Sequence, residues 1–307
     1  MRLLSWRSLL LVTSLCAHSL PSVSAVSFFF HNDLSRRNDR EQPPEEKYFH
    51  EPGNDDILGH YDTRFFKGAV TYEERTDTLV HMTRAYLTFF RENGLETWIA
   101  HGTLLGWWWN GKMLPWDWDI DTQVNTATLY RMADTFNHTI YRYDLADDQT
   151  QRKYLLDVNP HARRRDRGQG QNIIDARWID MRNGLYIDIT GVSEVNPETE
   201  PGILQCKNFH KYETSDLYPM RESMYEGVPA KIPYKYHEIL IKEYGQSAMV
   251  VKEYEDHNWV PELKLWVPDK ERMAETAKLT PEERKKKQDE ERSVRQNEIK
   301  QDSGRWG

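Results

Sequence analysis

The chain has 307 residues, 38% of them hydrophobic and 12% aromatic, enough to bury a sizeable core in one catalytic-sized domain. Its formal net charge of -8 argues against general affinity for nucleic acid. With only Cys16 and Cys206, it is neither a disulfide scaffold nor a zinc site built from several thiolates.

Taken in chain order, Arg2 and Arg7 precede an apolar run from Ser8 to Leu15, and Val23, Ser24 and Ala25 supply small residues at a cleavage position. This is the pattern of a secretory signal peptide over residues 1–25, with an uncleaved membrane anchor as the other reading; a full span needs roughly 20 apolar residues. Residues 32–56 are polar, charged and broken by Pro43, Pro44 and Pro52, so a flexible linker is expected over 26–60. The catalytic domain is expected over 61–270. A charged tail, with Lys285, Lys286 and Lys287 amid Glu and Arg, then fills 271–307.

Within the domain, Leu79, Met82, Tyr86, Phe89 and Phe90 recur at helical spacing between Thr76 and Asn93, and Gly94 is placed to cap that helix. Residues 96–101 read as a short strand. Gly102 and Thr103 then open a short helix through Trp109, stopped by Asn110 and Gly111. A helix start offers unpaired N–H groups and a positive dipole end to an anion, which makes Gly102 and Thr103 candidate phosphate ligands. Next, residues 114–121 read as a strand with Asp117, Asp119 and Asp121 on one face and Trp116, Trp118 and Ile120 on the other. Three carboxylates a strand step apart repel one another. A hard divalent cation, Mg²⁺ or Mn²⁺, relieves that repulsion; proton uptake and full exposure are the other remedies.

His101 and Lys112 flank this segment, and each can contact phosphate; the plainer readings are a hydrogen-bonded histidine at a strand end and an exposed lysine. Trp107, Trp108 and Trp109 point in different directions around a helix, so a sugar-stacking wall can use only some of them. Further along, Asn137-His138-Thr139 is a glycosylation sequon, and Arg163, Arg164, Arg165 and Arg167 precede Gly168-Gln169-Gly170 in a loop. That loop closes on a donor diphosphate or an acidic glycan, or is solvated, or is a processing site. Residues 176–190 form a hairpin around Asn183-Gly184, which makes Asp188 a carboxylate on a strand. Asp180 is expected to make a structural hydrogen bond, and Cys206 to be a structural thiol.

The GTLLG segment at Gly102 to Gly106 and the Pro-Trp-Asp run ending in Asp-Ile-Asp at Pro115 to Asp121 resemble the LicD family. The likeness continues through Ile173 to Thr190 and Asp216 to Pro233, ending near Tyr244 and Gly245. The His before the Gly, the Trp residues after it and Asn110-Gly111-Lys112 resemble a fungal branch linked to mannosylphosphate transfer onto cell-wall glycans. Phosphocholine-transferring bacterial members carry Asp where Trp118 stands and Arg where Trp109 stands, which moves the expected donor towards mannosylphosphate.

The resemblance implies an α/β (α+β) nucleotidyltransferase-like mixed sheet flanked by helices, between polar N- and C-terminal extensions. It also implies a metal-dependent phosphotransferase of the secretory pathway, Golgi-luminal or secreted. Asp117, Asp119, Asp121 and Asp188 would be metal ligands, with Asp119, Asp121 and Asp188 catalytic, the last as ligand or as base. Gly102, Thr103, His101 and Lys112 would bind donor phosphate. The implied donor is a nucleotide-linked sugar, GDP-mannose, and the implied acceptor a mannan or glycoprotein. A D-x-D glycosyltransferase and a non-catalytic regulator of mannosylphosphate transfer are the alternatives.

Overall fold

Helix α1 (Tyr72–Glu92) begins before the apolar repeat does, because Thr71 caps it: its Oγ1 accepts from the Glu74 N–H at 3.2 Å, and Glu73 and Glu74 face the positive helix end. The buried stripe contains the expected Leu79, Met82, Tyr86, Phe89 and Phe90, and Gly94 turns the chain at φ 58°. The computed structural model describes residues 45–145 and 151–280 and positions 282–284, 286, 287, 290 and 293. The signal-like segment, residues 26–44 and most of the charged tail lie outside the described residues.

Strand β1 (Thr97–Ile99) leads into α2 (His101–Asn110), which stops at Gly111 in a left-handed conformation, φ 72°. The expected acidic strand starts late: β2 is Ile120–Asn125. Pro115 and Trp116 form the centre of a turn closed by the Asp117 N–H on the Leu114 carbonyl at 3.0 Å, a position that the fixed φ of proline favours. Asp117 and Asp119 therefore precede the strand, and only Asp121 keeps a strand position. The alternation read from the sequence does not put the three on one strand face.

After α3 (Thr126–Arg131) come β3 (Thr139–Asp144), β4 (Gln151–Val158), β5 (Ala176–Asp180) and β6 (Tyr186–Glu194). The sheet runs β1-β2-β6-β5-β4-β3, with β2 and β6 parallel and every other pair antiparallel, and β7 (Ile203–Gln205) and β8 (Lys211–Glu213) continue from β6. This is the expected mixed sheet flanked by helices. Gly184 makes the β5–β6 hairpin at φ 88°, and a Cβ there would come within 2.9 Å of the Asp62 carbonyl, so only glycine suits. Strand β6 is buried continuously from Tyr186 to Ser193, because it has a strand on each side and both α1 and α3 pack on it. Trp178 on β5 centres the core, its ring 5.1 Å from Phe89 and 5.7 Å from Tyr154. Burying side chains of this size contributes roughly 1.5–3 kcal/mol each.

The chain continues through α4 (Thr214–Leu217), the hairpin of β9 (Arg221–Tyr225) and β10 (Val228–Ile232), and α5 (Tyr236–Tyr244). Strands β11 (Glu253–Tyr254), β12 (His257–Val260) and β13 (Leu265–Pro268) form a separate small sheet, followed by α6 (Lys270–Thr276). Its Trp259 and Trp266 pack at 4.9 and 4.8 Å against Trp109 of α2. The linker expected up to residue 60 ends earlier. From Glu45 the chain lies on the sheet, with Phe49 buried and Tyr48 and Glu51 hydrogen-bonded to Asp157 and Arg177. Its charged residues read as solvated because their partners lie more than a hundred residues away. Among the described residues, no helix is long and apolar enough to cross a membrane.

Candidate functional site

The parallel pairing of β2 with β6 sets Asp121 beside Asp188 in register. Asp119, Asp121 and Asp188 are only 5%, 6% and 3% exposed. The Asp121 backbone is fixed from both sides: its N–H donates to Thr103 Oγ1 at 2.9 Å, and its carbonyl accepts from the Ala100 N–H at 3.1 Å. These bonds hold the first turn of α2 against β2, so the positive helix end lies beside a carboxylate. The Thr103 hydroxyl accepts that bond and keeps its own proton to donate, and Gly102 lines an adjoining cleft.

Burial pushes the Asp121 carboxyl well above the usual carboxylate range, and the neighbouring Asp119 and Asp188 charges add to the shift. Asp188 is also raised by burial, against the opposing pull of Arg177, whose Nε donates to its Oδ1 at 2.9 Å. Arg177 also donates to Glu51 at 2.6 Å and lies over the Tyr186 ring at 3.6 Å. Asp117 is pushed up to about 6 by burial and by Asp119, and His60 Nε2 lies 3.9 Å from Asp119 Oδ2. An all-oxygen donor set whose charge is opposed by burial suits a hard divalent cation. Asp121 and Asp188 meet there as a pair; among the described residues the three-ligand group with atoms within 4.8 Å of one another is a different one, and the aspartates do not form such a group.

A second cluster was not read from the sequence. His101, His210 and Glu243 bring one ligand-type atom each within 4.8 Å of one another. Hydrogen bonding already accounts for much of it: His101 Nδ1 lies 2.9 Å from Glu243 Oε2, and His101 Nε2 lies 3.4 Å from Gln123 Nε2. The Trp98 indole donates to Gln123 Oε1 at 3.1 Å, which turns the amide NH₂ towards His101. Burial works against the charged ring, but the Glu243 charge and hydrogen bond raise His101 above the usual histidine range, so its Nδ1 proton faces Glu243 and a metal would have to displace it. His210 is held down to about 4 by burial and by the His101 charge, so it is a neutral ring. His101 thus packs as the hydrogen-bonded histidine, at a strained φ of 53°.

Several other candidates are not brought to the carboxylates. Lys112 is exposed and acts on Glu226. The arginine loop is committed elsewhere: Arg163 to Asp134, Arg164 to Asp166, Arg165 to buried Asp175, and Arg167 to the Lys207 carbonyl and the Phe209 ring. Asp180 accepts from the Arg182 N–H at 2.8 Å and pairs with its guanidinium, the structural role expected. Cys206 is buried, and burial pushes its thiol up to about 11.

A cleft of about 1040 Å³ has Asp117, but not Asp119, Asp121 or Asp188, on its walls, together with Arg75, Gly102, Trp116, Glu243 and His257. A smaller cavity of about 500 Å³ near Glu96 and Lys231 has none of the site aspartates on its walls. Sequence reasoning missed Arg177, because counting outward from Asn183-Gly184 pairs Asp188 with Ile179, whereas the observed register, centred one residue earlier, pairs it with Arg177. Glu243, His257 and Arg75 carried no local signal, because their partners are distant in the chain.

Residues 94–235 match the family described as LicD/FKTN/FKRP, nucleotidyltransferase domain. The Saccharomyces cerevisiae (strain ATCC 204508 / S288c) protein Mannosyltransferase regulator 4 is 37% identical over 140 residues, 45% of this chain and 12% of that protein. Mannosyltransferase regulator 14 of the same yeast is 36% identical over 141 residues, 44% of this chain and 14% of that protein. The shared stretch is thus a small part of either relative.

Proposed function

We propose that this chain is a metal-dependent phosphotransferase that moves mannose phosphate from GDP-mannose to a hydroxyl of a mannan or glycoprotein in the secretory pathway. The observation that carries the reading is the side-by-side placement of buried Asp121 and Asp188. Asp119, Asp121 and Asp188 would hold the divalent cation, which would supply positive charge to the donor diphosphate. The chain's own groups do the rest. The first turn of α2 presents N–H groups to phosphate oxygens, Arg177 holds Asp188 in place, and the cleft takes donor and acceptor. The acceptor oxygen bonds to the phosphorus that bears mannose, the bond to GMP breaks, and the acceptor proton leaves. The Arg177 bond occupies one oxygen of Asp188 and leaves the other to act as ligand or as the base that takes the acceptor proton.

The names of the two yeast relatives favour a second reading, in which the domain regulates a transferase instead of catalysing transfer. Purified protein, Mn²⁺, a mannan acceptor and GDP-mannose labelled at the phosphorus next to mannose separate the two. Label in the mannan supports the phosphotransferase. Transfer of mannose without phosphorus points to a glycosyltransferase, and no transfer, with stimulation of an added mannosyltransferase, points to the regulator.

A further inference from the structure

Among the buried side-chain atoms without a hydrogen-bond partner, Arg75 Nε, His257 Nε2 and Trp266 Nε1 belong to residues on the wall of the 1040 Å³ cleft. Leaving such an atom unsatisfied costs about 1–3 kcal/mol, so their gathering at one cleft calls for a ligand. Arg75 is 2% exposed and has no carboxylate within salt-bridge distance among the described residues. Its Nη2 donates to the Pro115 carbonyl, and its guanidinium lies 4.7 Å from the Tyr72 ring centre and 4.5 Å from that of Trp118. His257 Nδ1 donates to the Glu255 carbonyl at 2.6 Å, so Nε2 carries the lone pair and acts as acceptor. Burial holds that ring below the usual histidine range, which keeps it neutral. Between these groups stands Trp116, its ring 5.5 Å from His257, 4.9 Å from Trp266 and 5.1 Å from Tyr254.

We propose that Arg75, Trp116, His257 and Trp266 form a subsite for a pyranosyl phosphate, a sugar ring carrying a phosphate group. The guanidinium and the indole N–H donate to anionic oxygens, the His257 lone pair accepts from a sugar hydroxyl, and the Trp116 ring covers the apolar face of the pyranose. Arg75, His257 and Trp266 all lie outside residues 94–235, so the matched family segment alone does not contain this subsite. The choice of mannose as the sugar rests on the function proposed above; the anion and hydroxyl chemistry does not.

Calorimetry on the full chain tests it with α-D-mannose 1-phosphate, mannose 6-phosphate, inorganic phosphate and free mannose as separate titrants. The expected result is binding of a mannose phosphate about tenfold or more tighter than either inorganic phosphate or mannose. Preference for the 1-phosphate marks the donor as its source, and preference for the 6-phosphate marks a phosphorylated glycan. Arg75→Met weakens mannose phosphate by about tenfold or more, Arg75→Lys by less, and His257→Phe weakens it while leaving inorganic phosphate unchanged. Near-UV circular dichroism reports whether each variant keeps its tryptophan packing. If Arg75→Met does not fold, Arg75→Lys and His257→Phe decide. No binding to the wild type, or folded variants that bind as it does, overturns the subsite. Dependence on Arg75 and His257 without any phosphate transfer upholds the subsite and removes the transferase reading; transfer indifferent to both residues does the reverse.

Discussion

On the β6 side of the candidate site, Asp188 is bonded to Arg177, and Arg177 in turn to Glu51 from the N-terminal segment. On the β2 side, Asp121 lies at a similar depth, with Asp119 and Asp188 among the charges that raise its carboxyl and no cationic side chain within salt-bridge distance among the described residues. One half of the site is therefore neutralised by the fold itself. The other half stores electrostatic cost that a bound cation would relieve, and that asymmetry separates a structural ion pair from a binding site.

The sharpest way to break this contrast is to remove the built-in cation. Arg177→Met strips buried Asp188 of its ion-pair partner, while Glu51 keeps Lys47, and should cost about 3–5 kcal/mol in urea denaturation. A loss under about 1 kcal/mol would mean that Asp188 is as uncompensated as Asp121. On the opposite side, Asp121→Asn should lower phosphate transfer by about 10²–10³-fold while leaving the metal-free protein as stable as the wild type or more so. Equal transfer by this variant would detach the chemistry from β2.

Metal addition probes the same asymmetry with a smaller effect. Mn²⁺ at a hundred times its dissociation constant should stabilise the wild type by about 2.7 kcal/mol and Asp121→Asn far less. The pH dependence follows from the raised carboxyls. Asp117 moves from 3.8 up to about 6 on folding, and Asp121 and Asp188 also move up, so the folded chain holds their protons longer. The contribution of these carboxyls to metal-free stability is full below the lower value and is lost as pH climbs through that window, opposite in sign to that of His210, which is held down to about 4 by burial. The difference in melting temperature between the wild type and Asp121→Asn, in chelator between pH 4 and pH 7, isolates the carboxyl part; a difference that does not move against the wild type as pH rises would contradict it. Smallest of all, Thr71→Ala removes the α1 cap far from either acidic half, and should cost about 1 kcal/mol with no change in metal affinity.

Much of the scaffold was legible in the sequence, and the reasons are local. The α1 stripe follows from helical spacing, α2 and its glycine stop from the Gly-Thr start and Asn110-Gly111, and the hairpin from Asn183-Gly184. The acidic run misled because alternation of Asp and Trp has the period of a strand, whereas Pro115 makes a turn just before it. The loop arginines misled for a different reason. Composition shows charge but not the aspartates and carbonyls that absorb it. His257 and Glu243 were invisible because only the packing of the C-terminal elements against α2 gives them a role.

The β-hairpin tip at Gly184 receives the chain at Asp62, α1 lies across the sheet, and the small C-terminal sheet seats its tryptophans on α2. All three of these partners stand outside residues 94–235, the stretch shared with the family. The matched stretch is thus smaller than the folded unit. A protein cut at the borders of the family match would keep every site aspartate yet lose the cap, the brace and one cleft wall, so activity lost by such a fragment would report on missing architecture rather than on missing chemistry.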